Sequence, residues 1–331
     1  MQPNTIDRFA RDSGNLKTPV MTTETLQVTL NRHARAHTAF VGLVTFSVLI
    51  FWRTFHALVL FSLNHEASSH ILLIPLVSIY LLWTERSRIF QVVRPSPVRG
   101  ATLVLAAFAL YLLMARQWSV QDPEQFLPGA TLAIILLWLG GFLLCYGVAA
   151  WRRASFPLLF LLLMVPLPPA VLEHSIYLLQ QGSTEIAYLL FKAVGVPVLR
   201  QGFILAVPGV TIEVARECSG IRSSVALFIT CLLAGHLFLR TTSRMFVFVL
   251  LAFPLAIIKN GIRIATLTLL SVYVDPGFLT GRLHHEGGFV FFLLALALLF
   301  PVLLLLQKSE STAKPSVVVS DETKSGFAGE L

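Results

Sequence analysis

Long apolar stretches alternate along the chain with short polar segments that carry most of the charge. Stretches of this kind predict membrane-spanning helices, and Arg53 inside the first one must face protein or reach the interface. Eight stretches fit, at residues 38–61, 71–83, 101–115, 131–150, 156–165, 221–239, 245–274 and 289–306. We therefore predict an all-α polytopic membrane protein with about eight transmembrane helices.

Composition supports a membrane protein and argues against a nucleic-acid partner. Hydrophobic residues make up 56% of the 331 residues, charged residues only 13%, and the mean hydropathy is +0.77. The net charge of +8 comes from Lys and Arg spread over short loops, which is typical of cytoplasmic loops between spans. We expect cytoplasmic tails at 1–37 and 308–331 around a membrane domain at 38–307, with lipid as its surroundings.

Residues 171–217 have a different pattern from the apolar stretches. A polar patch from Gln180 to Glu185 breaks the helical period of 171–194, which predicts two short helices lying at the interface. From 196 to 217 short alternating runs are separated by the turn signals Gln201-Gly202 and Pro208-Gly209. This favours a small extracytoplasmic β element, with a structureless loop as the alternative.

Cys218 follows this segment and precedes a long apolar run. If the helix begins near Ser219, Cys218 is its N-cap, where the positive end of the helix favours a thiolate over a thiol. Arg222, one turn further on, adds a second positive charge. Cys145 and Cys231 lie inside apolar runs, so we expect both to be small buried side chains, and three cysteines do not indicate a disulfide framework.

Two further polar groups are predicted on the side of the membrane where Cys218 lies. Arg263 is 18 residues after Met245, a rise of about 27 Å along one helix. His284 precedes the last span. A cysteine nucleophile, a histidine acid and base, and an arginine that holds an oxyanion are the groups needed for acyl transfer through a thioester.

Three motifs in order resemble the exosortase/archaeosortase family of polytopic cysteine transpeptidases. Cys218 lies in the run E-C-S-G-I-R-S with Glu217, Ser219 and Arg222, Asn260 and Arg263 form N-x-x-R, and His284 begins H-x-x-x-G. Similar segments include Met164-Val165-Pro166-Leu167-Pro168 and Gly195-Val196-Pro197-Val198. The resemblance implies that Cys218, Arg263 and His284 are catalytic, with supporting roles for Glu217, Ser219, Arg222, Asn260 and His285.

The resemblance also implies a reaction, a partner and a location. Members cleave exported proteins at a C-terminal sorting signal that consists of a Pro-Glu-Pro motif, a transmembrane helix and a basic cluster. They pass the product to an acceptor, often together with exopolysaccharide machinery. The enzyme would be a multi-pass protein of the bacterial cytoplasmic (inner) membrane, with its active site facing the periplasm. Neither a cofactor nor a metal is implied, and the acceptor is not identified by the sequence.

Several alternatives stay open or carry less weight. Either His284 or His285 could be the acid and base, although the glycine spacing favours His284, and Glu286 could orient one of them or be solvated. A zinc protease is disfavoured because there is no H-E-x-x-H and adjacent helical histidines point about 100° apart. A non-enzymatic transporter or polysaccharide-export component would need polar residues at mid-membrane and preferably an internal repeat, which we do not find.

Overall fold

The computed structural model describes residues 23–116, 123–279 and 288–312. Helices dominate these ranges, and a single small antiparallel sheet accompanies them. The helices are α1 (Thr23–Ile50), α2 (Trp52–Asn64), α3 (Leu73–Thr84), α4 (Arg86–Ile89), α5 (Pro97–Arg116), α6 (Pro123–Arg153), α7 (Ser155–Phe160), α8 (Pro169–Ala193), α9 (Ile221–Phe238), α10 (Thr242–Tyr273) and α11 (Gly288–Thr312). The strands are β1 (Leu199–Gln201), β2 (Ile204–Val207) and β3 (Val210–Glu213), and short 3₁₀ turns cover Glu66–Ser68, Leu161–Met164, Arg216–Ser219 and Pro276–Leu279.

The prediction of an all-α polytopic membrane protein is confirmed, with fewer complete spans than eight. In the described ranges six helical segments are long and apolar enough to cross a membrane: Asn31–Ile50, Pro97–Arg116, Gln125–Arg153, Ile221–Phe238, Thr242–Tyr273 and Gly288–Glu310. A seventh is added if Ser155–Met164 and Pro169–Ala193, which meet at a bend, form one broken span. The count falls because the stretch at 71–83 forms only a 12-residue helix.

The surface of these helices suits a lipid environment. Large apolar side chains stand outward on several helices, among them Leu63 (70% exposed), Val98 (74%) and Phe246 (67%). Water would make such a surface unfavourable, whereas hydrocarbon does not. The first candidate span begins at Asn31 instead of residue 38, and its helix α1 begins still earlier, at Thr23.

The chain divides into two compact units, of which the first comprises residues 1–64 and 71–166. In its described part α5 and α6 approach closely, since a Cβ atom on Gly140 would lie 2.8 Å from Cγ2 of Val104. The Nδ1 atom of His37 is 2.8 Å from the hydroxyl oxygen of Tyr146, inside a group of aromatic rings. None of the predicted site residues belongs to this unit.

The second unit comprises residues 65–70 and 167–331 and contains the predicted site residues. Its first long helix, α8, runs unbroken over 25 residues, so the prediction of two short interfacial helices is wrong. Gln180, Ser183, Thr184 and Ala187 have the spacing of one helical face, and all four are buried. Three residues of the polar patch, Gln180, Ser183 and Thr184, therefore face the protein interior, and the patch does not interrupt the helix.

The predicted β element is present as a three-stranded antiparallel sheet in the order β1-β2-β3. Ala206 pairs with Leu199 on one side and with Thr211 on the other. The two turns contain Gly202 and Gly209, with φ of 61° and 90°, as the turn signals in the sequence indicate. The inner face of the sheet packs on α8 and α10 through a cluster of buried residues: Ala187, Phe191, Leu205, Val207, Val214, Ile264 and Ala265.

Among the described helices of the second unit α10 is the longest, with 32 residues, and it packs against α8, α9 and α11. The junction between α9 and α10 is held by Glu310 of α11. Its carboxylate accepts hydrogen bonds from the backbone N–H groups of Arg240 (3.0 Å) and Thr241 (2.8 Å). This contact fixes one end of the three-helix group, and α10 carries Arg263 beyond its midpoint.

Candidate active site

The turn that carries Cys218 is a short 3₁₀ helix, Arg216–Ser219, followed by Gly220 and then by α9. Gly220 has φ of 71° and ψ of 21°, the left-handed conformation that glycine adopts at little cost. Because this residue ends the 3₁₀ helix and redirects the chain, α9 begins only at Ile221. Cys218 therefore lies two residues before the N-cap Gly220, and the expectation that Cys218 itself is the N-cap is wrong.

The side-chain amide of Asn260 in α10 binds this turn by a hydrogen bond. Its Nδ2 atom donates hydrogen bonds to the carbonyl oxygen of Cys218 (2.9 Å) and to Oγ of Ser183 in α8 (3.0 Å). The side chain is fully buried. One amide thus connects the Cys218 turn, α8 and α10, three segments that lie far apart in the chain.

Close contacts of glycine support the same arrangement. A Cβ atom on Gly220 would lie 2.7 Å from Oδ1 of Asn260, and one on Gly261 would lie 2.5 Å from Cβ of Ile186 in α8. Real Cβ atoms do not approach other atoms so closely. Glycine at both positions allows α8, α10 and the Cys218 turn to approach until the Asn260 amide can bridge them.

Cys218 and Arg263 line the same cavity, which has a volume of about 240 Å³. The cavity lies between β3, the Cys218 turn and α10. Its other described walls are two polar residues, Glu213 and Thr268, and four apolar residues, Ile212, Val214, Ile264 and Leu267. A thiol and a guanidinium group thus line one space, where the guanidinium group could stabilise negative charge on a carbonyl oxygen.

The strand that forms the cavity wall is fixed by α8. Gln180 donates a hydrogen bond from Nε2 to the carbonyl oxygen of Val214 (2.8 Å), and the Val214 N–H group bonds the carbonyl oxygen of Phe203 (3.0 Å). Two ion pairs add contacts of α8, one between Glu185 and Arg200 of β1 and one between Glu173 and Arg216, the first residue of the Cys218 turn. The chain from β3 to Cys218 is therefore held by α8 both at Val214, before the turn, and at Arg216, where the turn begins.

The remaining predicted residues have different positions. Ser219 is fully buried, and its hydroxyl group has no hydrogen-bond partner among the described residues. Arg222 is exposed on the first turn of α9 and is not among the described residues that line the cavity. The side chain of Glu217 is not described, and His284 and His285 lie outside the described residues.

Cys145 and Cys231 differ from Cys218 in their surroundings. Cys231 is 1% exposed in the apolar core between α9, α10 and α11, and Cys145 is half-buried in α6. None of the three cysteines forms a disulfide. Neither Cys145 nor Cys231 lines the cavity that Cys218 shares with Arg263.

Within residues 23–116, 123–279 and 288–312, no cluster of His, Cys, Asp and Glu has the arrangement of a metal site. The described polar groups near Cys218 are the amide of Asn260, the hydroxyl group of Thr268, the guanidinium group of Arg263 and one carboxylate, that of Glu213. The amide, hydroxyl and guanidinium groups can donate hydrogen bonds, and the guanidinium group can stabilise the negative charge of an oxyanion.

Sequence reasoning gave no role to Lys259 and Ser183, which both take part in this site. The Nζ atom of Lys259 donates a hydrogen bond to Ser223 Oγ, next to the Cys218 turn, and Ser183 bonds Asn260. The spacing of Gln180, Ser183 and Ala187 contained a usable signal, because it is the spacing of one buried helical face. For Lys259 the signal was a charged residue inside a predicted span.

The chain matches one known protein family. A model of the transmembrane exosortases matches residues 52–301, about three quarters of the chain, and the chain belongs to this family. The matched region includes Cys218, Asn260, Arg263 and His284. No curated protein and no solved structure gives a match.

Proposed function

We propose that this exosortase is a cysteine transpeptidase that cleaves a C-terminal sorting signal and transfers the protein to an acceptor. The observation that carries the proposal is the shared cavity of Cys218 and Arg263 in a member of the exosortase family. Cleavage takes place next to a Pro-Glu-Pro motif that precedes a transmembrane helix and a basic cluster. The protein resides in the bacterial cytoplasmic membrane, and the cavity faces the periplasm.

In the first half of the reaction Cys218 attacks as a thiolate. Its sulfur forms a bond with the scissile carbonyl carbon, and the carbonyl oxygen becomes an oxyanion that the guanidinium group of Arg263 stabilises. The C–N bond then breaks, and the amine of the leaving segment takes a proton from the imidazolium group of His284. The products are a thioester on Cys218 and a released segment that contains the transmembrane helix.

In the second half an acceptor with an amine or hydroxyl group, or water, attacks the thioester. The neutral imidazole of His284 takes the acceptor's proton, and the C–S bond breaks, which returns the thiolate. The acceptor decides whether the outcome is transfer or hydrolysis. A role in surface export linked to exopolysaccharide belongs to this same proposal, because the acceptor would be a component of that export route.

Co-expression with a substrate tests the proposal. The substrate ends in Pro-Glu-Pro, an apolar span and several Arg residues, and its processing is followed by gel shift and mass spectrometry. We expect cleavage that is lost in Cys218→Ala and retained in Cys231→Ala, which removes a thiol outside the cavity. Cleavage that persists in Cys218→Ala would reject the thiol mechanism.

A further inference from the structure

Lys259 is a buried basic residue in the middle part of α10. Its side chain is 3% exposed, and no carboxylate among the described residues pairs with it. Its contact is the hydrogen bond from Nζ to Ser223 Oγ. A basic group inside a membrane span is costly and marks functional positions more often than purely structural ones.

The hydrogen bond of Lys259 continues to the turn that carries Cys218. Ser223 donates from Oγ to the carbonyl oxygen of Gly220 (3.0 Å), while the same hydroxyl oxygen accepts from Lys259. The next residue of α10, Asn260, donates to the carbonyl oxygen of Cys218. Two consecutive residues of α10 are therefore linked to this region, Asn260 directly at the carbonyl group of Cys218 and Lys259 through Ser223 at that of Gly220.

Lys259 stands one helical turn before Arg263 on α10. Residues four apart lie on the same face of a helix, so both face the region of the Cys218 turn. Arg263 lines the cavity and Lys259 is not among its described walls. Lys259 can therefore influence the turn through Ser223, without touching a substrate in the cavity.

We propose that Lys259 is a positioning residue that orients the Cys218 turn through Ser223 and the carbonyl group of Gly220. This inference rests on the function proposed above. A methionine would fill the same volume without the cost of burying a basic group, and apolar replacements of buried ionic groups are often neutral or stabilising. Unlike methionine, lysine donates the hydrogen bond to Ser223 that, on this proposal, sets the geometry of the turn.

The first experiment measures the reactivity of the Cys218 thiol without any substrate. In full-length protein with Cys145→Ala and Cys231→Ala, Cys218 is the only thiol, and its alkylation rate by N-ethylmaleimide is measured at a fixed pH. We expect Lys259→Met and Ser223→Ala each to change the rate by about fivefold or more. The double variant should change it no further, because both substitutions break one chain of hydrogen bonds. The control Lys192→Met removes a lysine that stands over the Tyr188 ring, and should leave the rate unchanged.

The second experiment separates positioning from stability. With the sorting-signal substrate, Lys259→Met should lower kcat with little change in KM, while its thermal midpoint in detergent stays equal to that of the parent or rises. Lys259→Arg keeps a donor near Ser223 and should recover part of kcat.

The outcomes distinguish this inference from the proposed function. If Lys259→Met has parental alkylation and kcat, or loses both only in step with a lower thermal midpoint and without recovery in Lys259→Arg, the inference is overturned. If Cys218→Ala still cleaves while Lys259→Met alters alkylation of Cys218, the proposed function fails and the positioning role remains.

Discussion

A Cβ atom on Gly220 would lie 2.7 Å from Oδ1 of Asn260, so residue 220 must be glycine for the Cys218 turn to rest on α10. The left-handed backbone of Gly220 adds a second reason, because other residues adopt φ of 71° only with strain. The cost of the overlap with Asn260 and the cost of the left-handed backbone can be measured separately. Gly195 has φ of 76° but open space where a Cβ atom would lie, so a substitution there carries only the backbone cost.

Gly220→Ala should lower the free energy of unfolding more than Gly195→Ala does. The left-handed backbone costs about 1–2 kcal/mol at either position, and overlap with Asn260 adds about 1–3 kcal/mol at Gly220 alone. Thermal or denaturant unfolding in detergent measures both variants, and cleavage should be lost only in Gly220→Ala. Equal destabilisation of the two variants would show that the turn moves away from Asn260 without penalty.

Asn260→Ala should slow cleavage by about tenfold or more, because loss of one buried hydrogen-bond partner costs about 1–3 kcal/mol. The carbonyl oxygen of Cys218 and the hydroxyl group of Ser183 both lose their donor. Asn64→Ala, at the end of α2 in the other unit, is the matched control. Unchanged kcat/KM in Asn260→Ala would mean that the amide does not position Cys218.

Arg263→Gln should lower kcat by about 100-fold, the loss expected when a donor to an oxyanion is removed. Arg263→Lys keeps the charge and loses the planar fork of donors, so its kcat should be intermediate. Arg222→Gln is the comparison, because Arg222 is exposed and not among the described walls of the cavity, and we expect a change within about threefold. If the Arg222 variant has the larger effect, the two arginines have exchanged roles.

His284→Ala should lower kcat by a factor of about 10²–10⁴, the usual contribution of a general acid and base. His285→Ala should retain most of the activity. The pH dependence of kcat also distinguishes the two histidines. The part of the pH profile that reports titration of the catalytic imidazole should persist in His285→Ala. The reverse order of the two variants would assign the proton transfer to His285.

Cys218 should react with a membrane-impermeant sulfonated maleimide added to intact spheroplasts. In a Cys145→Ala/Cys231→Ala background the label can reach only Cys218. The control is Ser243→Cys in a background without the three native cysteines, at the exposed start of α10, where labelling should need broken cells. Labelling of Ser243→Cys in intact spheroplasts would reverse the proposed orientation.

Sequence patterns predicted those features that depend on neighbouring residues. Gln201-Gly202 and Pro208-Gly209 predicted the turns between the strands because glycine adopts positive φ there. The long helix from Thr242 to Tyr273 followed from its apolar run. The three motifs of the exosortases contained Cys218 and Arg263, and the structure brings these two side chains to one cavity.

Features that depend on contacts between distant segments could not be predicted in this way. The polar residues of α8 suggested a break in the helix, because their partners, Val214 and Asn260, are 34 residues from Gln180 and 77 residues from Ser183. The position of Cys218 relative to α9 was wrong for a similar reason. Gly220 takes a left-handed conformation against Asn260, a contact across 40 residues that no local pattern reveals.

The bridge of Asn260 between α8, the Cys218 turn and α10 also limits how the site could be transplanted. The E-C-S-G-I-R-S run alone, inserted into another membrane protein, would lack both the amide that holds its cysteine and the hydroxyl group that holds the amide. The continuous segment of whole helices that contains every part of this bridge runs from Pro169 to Tyr273, and the proposed acid and base His284 lies beyond it. An engineer who builds chimeric exosortases should therefore exchange this segment together with the His284 motif, because donor and acceptor chains that differ at Gly220, Gly261 or Ser183 would lose the contacts of the Asn260 bridge.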